Sequence, residues 1–191
     1  MTPPQSIALF GGSFDPVHLG HLEIARRSVE ATGLDQVRFL PCRQSPHKKA
    51  APGASDQDRL RMLEIAVADL PWAVVDDFDL RSPAPSYSVR TVLHMRQEFP
   101  DARLFWIVGL DQWLALPQWR DPEILAAHLE FLVFSREGVP VPRPGWRMQR
   151  VAGDHPASAT RIREALRQGD EIPPWLPQGV LDYVRRHRLY T

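Results

Sequence analysis

Short apolar runs alternate along the chain with longer amphipathic stretches, a pattern that predicts strands and helices in turn. Strands are predicted at Ser6–Phe10, Gln36–Pro41, Trp72–Asp76, Arg103–Val108, His128–Ser135 and, as a short sixth strand, near Arg147–Val151. Helices are predicted at His18–Thr32, from Ser55 to about Asp69, and at Ser86–Glu98, Pro122–Ala127, Ser158–Arg167 and Pro177–His187. Strands that alternate with helices favour a parallel sheet, because the helices serve as crossovers and cover both of its faces.

The predicted fold class is therefore α/β: a Rossmann-like parallel sheet with helices on both faces and a small C-terminal helical subdomain, about 155–191. We expect one domain over 1–191, since the 46 residues after the proline-rich stretch Val139–Gly145 are few for an independent core. Ligands of such sheets bind at the carboxyl ends of the strands. Four unusual segments are predicted to lie there: GGSFDPVHLGH, PCRQSPHKK, VGLDQWLALPQW and the stretch before Ser158.

Composition and charge exclude several classes of protein. The formal net charge is zero, which gives no bulk attraction to nucleic acid or to a membrane surface. No run approaches the ~18 apolar residues of a membrane span, and the N-terminus lacks the pattern of a signal peptide. Cys42 is the only cysteine, so an intrachain disulfide and a cysteine metal cluster are excluded. We expect a cytoplasmic protein.

The stretch GGSFDPVHLGH, Gly11–His21, joins the first strand to the first helix and carries candidate chemistry. Its glycine pair lets backbone N–H groups approach an anion, and the following helix directs its positive end to the same place. His18 and His21 lie three residues apart, so both imidazoles face the same way. Gly20 between them leaves a gap where a larger residue would crowd a nucleotide. Two ring N–H donors beside a helix start suit a phosphate whose charge changes during a reaction.

Two plainer interpretations of this stretch stay open. The two histidines could chelate a metal, although Asp15 is the one nearby carboxylate and cysteine ligands are absent from the stretch. The stretch could also be a structural helix start with incidental histidines, which Pro16 near the N-cap would suit. Neither interpretation requires the glycines and both histidines together.

GGSFDPVHLGH resembles the HxGH signature of the nucleotidylyltransferase superfamily, and the chain from Ile7 to VLDYVRRHRLY resembles the bacterial nicotinate-nucleotide adenylyltransferase family. Four later segments are similar to motifs of that family, in order: SPHKK, SYSVRTV, GLDQWLALPQW and SATRIR. HxGH alone indicates the superfamily, whereas the five segments together are much more specific. Arg90 stands where the family usually has Asp, so we expect it to face solvent or an ion-pair partner, and Ala159 replaces a serine hydroxyl donor.

The resemblance implies transfer of the adenylyl group of ATP to nicotinate mononucleotide, giving deamido-NAD and pyrophosphate in NAD biosynthesis. The transfer is expected to be a direct in-line displacement without a covalent intermediate. His18 and His21 are the implied catalytic residues. The implied ATP-binding residues are Gly11, Gly12, Ser13, Phe14, Gly20, Gly109, Asp111, Ser158, Thr160 and Arg163. The implied acceptor-binding residues are His47, Lys48, Ser86, Tyr87, Ser88 and Trp119. Mg²⁺ is implied through the ATP phosphates, without protein metal ligands.

Several of these residues also have a structural interpretation. Ser158 could be a plain N-cap, Asp111 a turn residue, and Trp119 a core residue rather than a stacking surface for the nicotinate ring. A basic loop is usually only solvated, but Lys48 and Lys49 are the only lysines among 23 basic residues, which favours a role.

Other functions stay open as well: a nicotinamide-mononucleotide or pantetheine-phosphate adenylyltransferase, or a regulatory module that binds nucleotide without catalysis. We expect the acid mononucleotide to be preferred over its amide at least ~tenfold, through backbone N–H groups at the start of the Ser86 helix. No nucleic-acid or membrane partner is expected, and a homo-oligomer is left open.

Overall fold

The computed structural model describes residues 3–47, 51–135, 138–172 and 174–191. Its sheet has six strands: β1 (Ser6–Gly12), β2 (Gln36–Pro41), β3 (Ala73–Val75), β4 (Arg103–Gly109), β5 (Glu130–Ser135) and β6 (Arg147–Ala152). The strands lie in the order β3-β2-β1-β4-β5-β6, and every neighbouring pair is parallel. The predicted Rossmann-like parallel sheet is confirmed, the short sixth strand included.

The helices are α1 (Leu19–Thr32), α2 (Asp56–Val67), α3 (Phe78–Arg81), α4 (Ser88–Glu98), α5 (Leu110–Ala115), α6 (Pro122–His128), α7 (Ala159–Gln168) and α8 (Gln178–Arg186), with a 3₁₀ turn at Leu116–Gln118. The predicted helices are present with ends shifted by a few residues. The short helices α3 and α5 were not predicted, because four and six residues are too few to show an apolar period. No helix within the described ranges is long and apolar enough to cross a membrane.

Helices cover both faces of the sheet, which explains why β1, β4 and β5 read as nearly continuous apolar runs. In β1, Ala8 and Phe10 face the core under α1, α2, α7 and α8, whereas Ile7 and Leu9 face the core under α4, α5 and α6. The C-terminal helices share the first of these cores, where Ile162 of α7 is fully buried. This packing brings the start of α7 to the carboxyl end of β1.

Candidate active site

The strand order reverses between β1 and β4, and in open α/β sheets a crevice forms at such a point. The loops after these two strands line a cavity of about 580 Å³, to which α7 adds Ala159 and Arg163. Its other lining residues are Phe10, Gly11, Gly12, Ser13, Phe14, Asp15, His21, Ile24, Ala51, Pro52, Gly109, Asp111 and Gln112. Most of the predicted ATP-binding residues thus surround one space.

A smaller cavity of about 100 Å³ adjoins the first. It is lined by Gly11, Gly12, Ser13, Cys42, Ser45, Pro46, His47, Asp79, Ser86, Ser88, Trp106, Gln112 and Trp119. Gly11, Gly12, Ser13 and Gln112 line both cavities. The segment Gly11–Asp15, which we call the glycine loop, therefore lies at the boundary between the two cavities.

The glycine loop is held in a strained conformation by aromatic packing. Phe14 has a φ of +47°, a left-handed value that a bulky residue rarely adopts. Its ring is buried between Phe10 and Phe39, with centroids 5.6 and 5.9 Å away, and meets the edge of the His21 ring at 5.0 Å. A Cβ on Gly12 would lie 3.0 Å from this ring, so any larger residue there would crowd Phe14.

His18 and His21 are stacked, with ring centroids 3.7 Å apart and planes 21° from parallel. The two imidazoles therefore do face the same way. The backbone N–H of His18 donates to Nδ1 of His21 at 3.2 Å, which places the proton of a neutral His21 ring on Nε2. His21 lines the larger cavity, whereas His18 is 7% exposed and stacks on the His21 ring.

Gly20 makes room for histidines. A Cβ at this position would lie 3.0 Å from Nδ1 of His18 and 3.4 Å from Nδ1 of His155. A side chain at this position would therefore crowd His18 and His155, and the expectation that it would also crowd a bound nucleotide stays a prediction. His155 carried no sequence signal for this position; its Nδ1 accepts the backbone N–H of Ala157 at 3.1 Å.

Asp15 ties the glycine loop to two distant parts of the chain. Its carboxylate accepts the backbone N–H groups of Gly53 and Ala54 at 2.8 and 3.0 Å and the hydroxyl of Tyr190 at 2.8 Å. Burial and this carboxylate raise the pKa of Tyr190. Three donors occupy the one carboxylate that the metal interpretation required. Nothing local in the sequence could indicate these bonds, because the partners are 38 to 175 residues away.

A buried cation lies behind the same loop. Arg59 of α2 is 0% exposed, donates to the carbonyl of Ser13 at 2.6 Å and pairs with Asp56 at 2.7 Å. The bond fixes the direction of the Ser13 carbonyl. Sequence reasoning missed Arg59, since it reads as an ordinary polar position of an amphipathic helix.

The start of α7 presents Arg163 to the loop. Arg163 donates to the carbonyl of Asp15 at 2.6 Å and lies 3.8 Å from its carboxylate. Ser158 is the N-cap of α7, yet its side chain makes no capping hydrogen bond, so the plain N-cap interpretation does not account for its hydroxyl. Thr160 is exposed and reaches the Arg163 guanidinium at 3.5 Å. Ser158 and Thr160 border the larger cavity only through their neighbours Ala159 and Arg163.

Aromatic rings form one wall of the smaller cavity. The Trp119 ring is stacked on His47, with centroids 5.2 Å apart, and meets Trp106 edge-to-face at 6.4 Å. Trp106 lies within the predicted strand Arg103–Val108 and was given no role at the site. Its ring is packed in the core but also lines this cavity, and a Cβ at Gly11 would lie 3.1 Å from it.

Helix α4 begins at Ser88, not at Ser86. The N–H of Ser86 donates to the carbonyl of Gln44 at 3.0 Å, and its hydroxyl accepts the N–H of Arg43 at 3.1 Å. The prediction that this helix begins at Ser86 is therefore wrong. The backbone N–H groups at the start of its first turn belong to Ser88 and Val89.

The remaining predicted acceptor residues have mixed outcomes. Tyr87 lines a third cavity of about 390 Å³ beside Trp119, with the Arg120 guanidinium 4.8 Å from its ring centroid. Lys48 lies outside the described residues. Arg90 was expected to face solvent or an ion-pair partner; it donates to the carbonyl of Pro83 at 2.6 Å.

Asp79 is a buried carboxyl in the smaller cavity that sequence reasoning missed. It is 5% exposed, and its Oδ1 accepts the hydroxyl of Thr91 at 2.6 Å. Burial raises its pKa to about 6, against the lowering effect of the Thr91 hydrogen bond. The sequence marks it only as one of several acidic residues in VVDDFDLR.

The fold and this cleft are those of a nucleotidyltransferase, and a family model described as cytidylyltransferase-like matches residues 9–165. A probable nicotinate-nucleotide adenylyltransferase of Methylacidiphilum infernorum is 39% identical over 96% of this chain and 91% of its own length. One of Synechococcus sp. strain JA-3-3Ab is 35% identical over 100% and 99%. The chain belongs to the nicotinate-nucleotide adenylyltransferase family.

Solved structures show the same fold. The Plasmodium falciparum nicotinic acid mononucleotide adenylyltransferase complexed with NaAD superposes with a TM-score of 0.79 at 17% identity, covering 97% of each chain. A nicotinate-nucleotide adenylyltransferase from Vibrio parahaemolyticus gives a TM-score of 0.69, also at 17% identity, over 97% of this chain and 95% of its own.

Proposed function

We propose that this protein transfers the adenylyl group of ATP to nicotinate mononucleotide, releasing pyrophosphate and forming deamido-NAD. The observation that carries the proposal is the boundary shared by the two cavities at Gly11–Ser13. ATP would occupy the larger cavity and the mononucleotide the smaller one. The α-phosphorus and the attacking phosphate oxygen would then meet over the glycine loop.

The reaction asks little of the protein as an acid or base. The nucleophile is a phosphate oxygen of the acceptor, already anionic at neutral pH, so no protein nucleophile is needed. The task is to place two polyanions in line and to offset their repulsion. Cys42, the one thiol, is buried and has no role in this step.

The phosphate side supplies donors at two helix starts. His21 would donate its Nε2–H to oxygens at the α-phosphorus, and the stacked His18 would share the charge that develops there. The backbone of Gly11–Phe14 would approach the phosphates directly. Ser158, Thr160 and Arg163 would hold the β and γ phosphates, with Arg163 exchanging its bond to the Asp15 carbonyl for a phosphate oxygen. Asp111, exposed in the first turn of α5, would bind the ribose of the adenosine.

The acceptor side supplies a flat surface and polar donors. Trp119 would stack on the pyridine ring, and His47 and Lys48 would bind the acceptor phosphate. The 5.2 Å between the His47 and Trp119 centroids leaves no space for a ring between them. His47 would therefore leave that face of Trp119 when the acceptor binds, which frees it for the phosphate. Ser86, Tyr87 and Ser88 would line the path of the mononucleotide.

Mg²⁺ is part of the proposal as a companion of the ATP phosphates. The described residues contain no group of three or more His, Cys, Asp or Glu side chains that could hold a metal ion. A Mg²⁺ ion bound with ATP would therefore be held mainly by the oxygens of the phosphates. When bound, Mg²⁺ neutralises charge on the phosphates and on the departing pyrophosphate. We also propose a cytoplasmic location, as suits an enzyme of NAD biosynthesis.

A pyrophosphate-release assay with three acceptors tests the proposal. We expect the highest kcat/KM with nicotinate mononucleotide, a lower value with nicotinamide mononucleotide, and no turnover with phosphopantetheine. ATP labelled stereospecifically at the α-phosphorus should give product with inverted configuration. Binding of ATP without turnover of any acceptor would instead support a regulatory module, and a trapped enzyme–AMP species would overturn direct transfer.

A further inference from the structure

Asp79 lies in the wall of the proposed acceptor cavity, where no role in the reaction has been given to it. It shares that wall with Ser88 and Trp119. Its Oδ1 accepts the Thr91 hydroxyl at 2.6 Å. No hydrogen bond of Oδ2 is found among the described residues, and Asp79 as a whole residue is 5% exposed.

The position of Asp79 relative to α4 shows what it would meet. Thr91 and Ser88 are three residues apart on α4 and lie on the same face. The carboxyl bonded to Thr91 therefore borders the same space as the first-turn N–H groups of Ser88 and Val89. A pyridine ring on Trp119 that points its ring substituent at the start of α4 also points it at Asp79.

We propose that Asp79 is a specificity-determining residue of the acceptor site, whose protonation state sets the preference between a pyridine carboxylate and a pyridine carboxamide mononucleotide. This inference rests on the proposed function, because it requires that the ring of the acceptor occupy the smaller cavity. It adds a side-chain determinant to the backbone donors at the start of α4.

The two protonation states of Asp79 treat the two acceptors differently. A neutral carboxyl can donate its proton to the carboxylate of the acid acceptor, and it adds no repulsion. An ionised carboxyl repels that carboxylate but accepts a hydrogen bond from the NH₂ of the amide. The start of α4 favours the anionic acceptor in either state, so it sets a baseline that Asp79 modulates.

The surroundings of Asp79 allow this titration near neutral pH. Burial raises its pKa to about 6, and the nearby charge of Asp76 acts in the same direction, whereas Arg90 acts against it. Among the described residues, His47 and Cys42 also line the cavity, and the ring of His94 stacks on Phe78 at 4.0 Å. Asp76 is itself paired with Arg38 at 2.8 Å.

The test compares kcat/KM for nicotinate and nicotinamide mononucleotide from pH 5 to pH 8.5, with saturating ATP. The ratio of the two values is the informative quantity, because groups that act on the phosphates affect both acceptors alike. The ratio changes from a constant value at low pH to another at high pH. The factor between these two values equals the ratio of the acid dissociation constants of Asp79 in the complexes with the two acceptors. A like charge within ~4–6 Å shifts a carboxyl by about one unit or more, so the acid-to-amide ratio should fall at least ~tenfold as pH rises.

Three variants separate this role from a structural one. Asp79→Asn should give a ratio that does not vary with pH. Asp77→Asn removes the same charge two residues away, at a side chain that is 41% exposed and paired with Arg81, and should keep the wild-type profile. Thr91→Val removes a donor that favours the ionised form, so the midpoint of the profile should move to higher pH. A structural defect would instead lower both kcat/KM values together.

The outcomes are distinguishable. A pH-independent ratio in the wild-type protein, or an unchanged profile in folded Asp79→Asn, overturns the role of Asp79 while transfer to nicotinate mononucleotide still supports the proposed function. Absence of turnover with both mononucleotides overturns the proposed function and this inference together. Circular dichroism of each variant establishes that it is folded.

Discussion

The two cavities that meet at Gly11–Ser13 differ in how their walls are built. On the ATP side, eleven consecutive residues supply the loop, the helix start and the paired histidines, and buried groups fix the loop from behind. On the acceptor side, the wall is assembled from the segment after β2, from α3, from the start of α4 and from Trp119. Its main contact, His47 on Trp119, is a stack of two side chains at the protein surface.

The difference separates two properties of the protein. Asp15 and Arg59 hold the ATP side by bonds to backbone groups, and backbone geometry is what an in-line transfer needs to have in place beforehand. On the acceptor side, the groups that would bind the acceptor are side chains such as His47 and Trp119. Substitutions on the ATP side should therefore lower the rate or weaken ATP binding, and substitutions on the acceptor side should change the affinity and specificity for the acceptor.

The largest effect is expected from the paired histidines. His18→Ala or His21→Ala should lower kcat by about a hundredfold or more, the usual loss for one preorganised donor at a developing charge. His187→Ala, at the far end of α8 with its ring stacked on Tyr183, is the matched control and should keep normal turnover. Steady-state pyrophosphate release measures all three. Near-normal kcat in both folded variants would show that His18 and His21 do not stabilise the charge that develops during the transfer.

The next largest effect is expected from Arg163. Arg163→Ala should raise KM for ATP roughly ten- to a hundredfold, because a hydrogen bond to a charged group contributes about 1.5–3 kcal/mol. Arg163→Lys keeps the charge but cannot bind two oxygens at once, so its KM for ATP should lie between those of Arg163→Ala and the wild type. The control is Arg167→Ala, an exposed arginine one turn further along α7. Equal KM values for Arg163→Ala and the control would remove Arg163 from the ATP site.

The same contrast explains what the sequence could predict. The apolar pattern carries the order and type of the strands most clearly for β1, β4 and β5, which are buried on both faces. The segment Gly11–His21 could be singled out because its glycines and histidines are close together in the sequence. Its support could not: the bonds of Asp15 to Tyr190 and of Arg59 to Ser13 join residues that are 175 and 46 positions apart.

On the acceptor side, the aromatic wall was only half predicted. Trp119 was singled out, but Trp106 reads as a strand residue and gives no sign that its ring also reaches a cavity. Asp79 lies on a helix of four residues, too short to show which side of it is buried. The start of α4 was placed two residues early because Ser86 is a good N-cap by type, whereas its hydroxyl is already bonded to the N–H of Arg43.

A smaller effect, and one confined to the acceptor side, is expected from Trp119→Ala. It should raise KM about tenfold for both mononucleotides alike and leave KM for ATP unchanged, because stacking on an aromatic face contributes about 1–3 kcal/mol and does not discriminate between the two rings. Trp119→Phe keeps a flat surface and should recover most of the affinity. A loss confined to one acceptor would show that Trp119 contributes to specificity, a role that we propose for Asp79 and the start of α4.

The smallest effect is expected from Tyr190→Phe, which removes one bond behind the ATP side. Its hydroxyl donates to Asp15 at 2.8 Å in a buried position, so the variant should lose about 1 kcal/mol of stability at pH 8. Tyr183→Phe removes a comparable bond to Asp58, at 2.9 Å and away from the glycine loop. Only Tyr190→Phe should also raise KM for ATP, since only its partner belongs to the loop.

The pH dependence of this loss identifies the bond. Burial and the Asp15 carboxylate raise the pKa of Tyr190 in the folded protein, whereas an unfolded tyrosine titrates near pH ~10. Above that pH the unfolded chain releases a proton that the folded protein keeps, so wild-type stability falls as pH rises further. Phenylalanine has no such proton. The stability difference between the wild type and Tyr190→Phe should therefore be full at pH 8 and shrink between pH ~10 and ~11, as urea unfolding at each pH would measure. Tyr183 titrates in both proteins and cancels from the difference. A difference that stays constant across this range would mean that folding does not raise the pKa of Tyr190, so that its hydroxyl would not be held in a buried bond to Asp15.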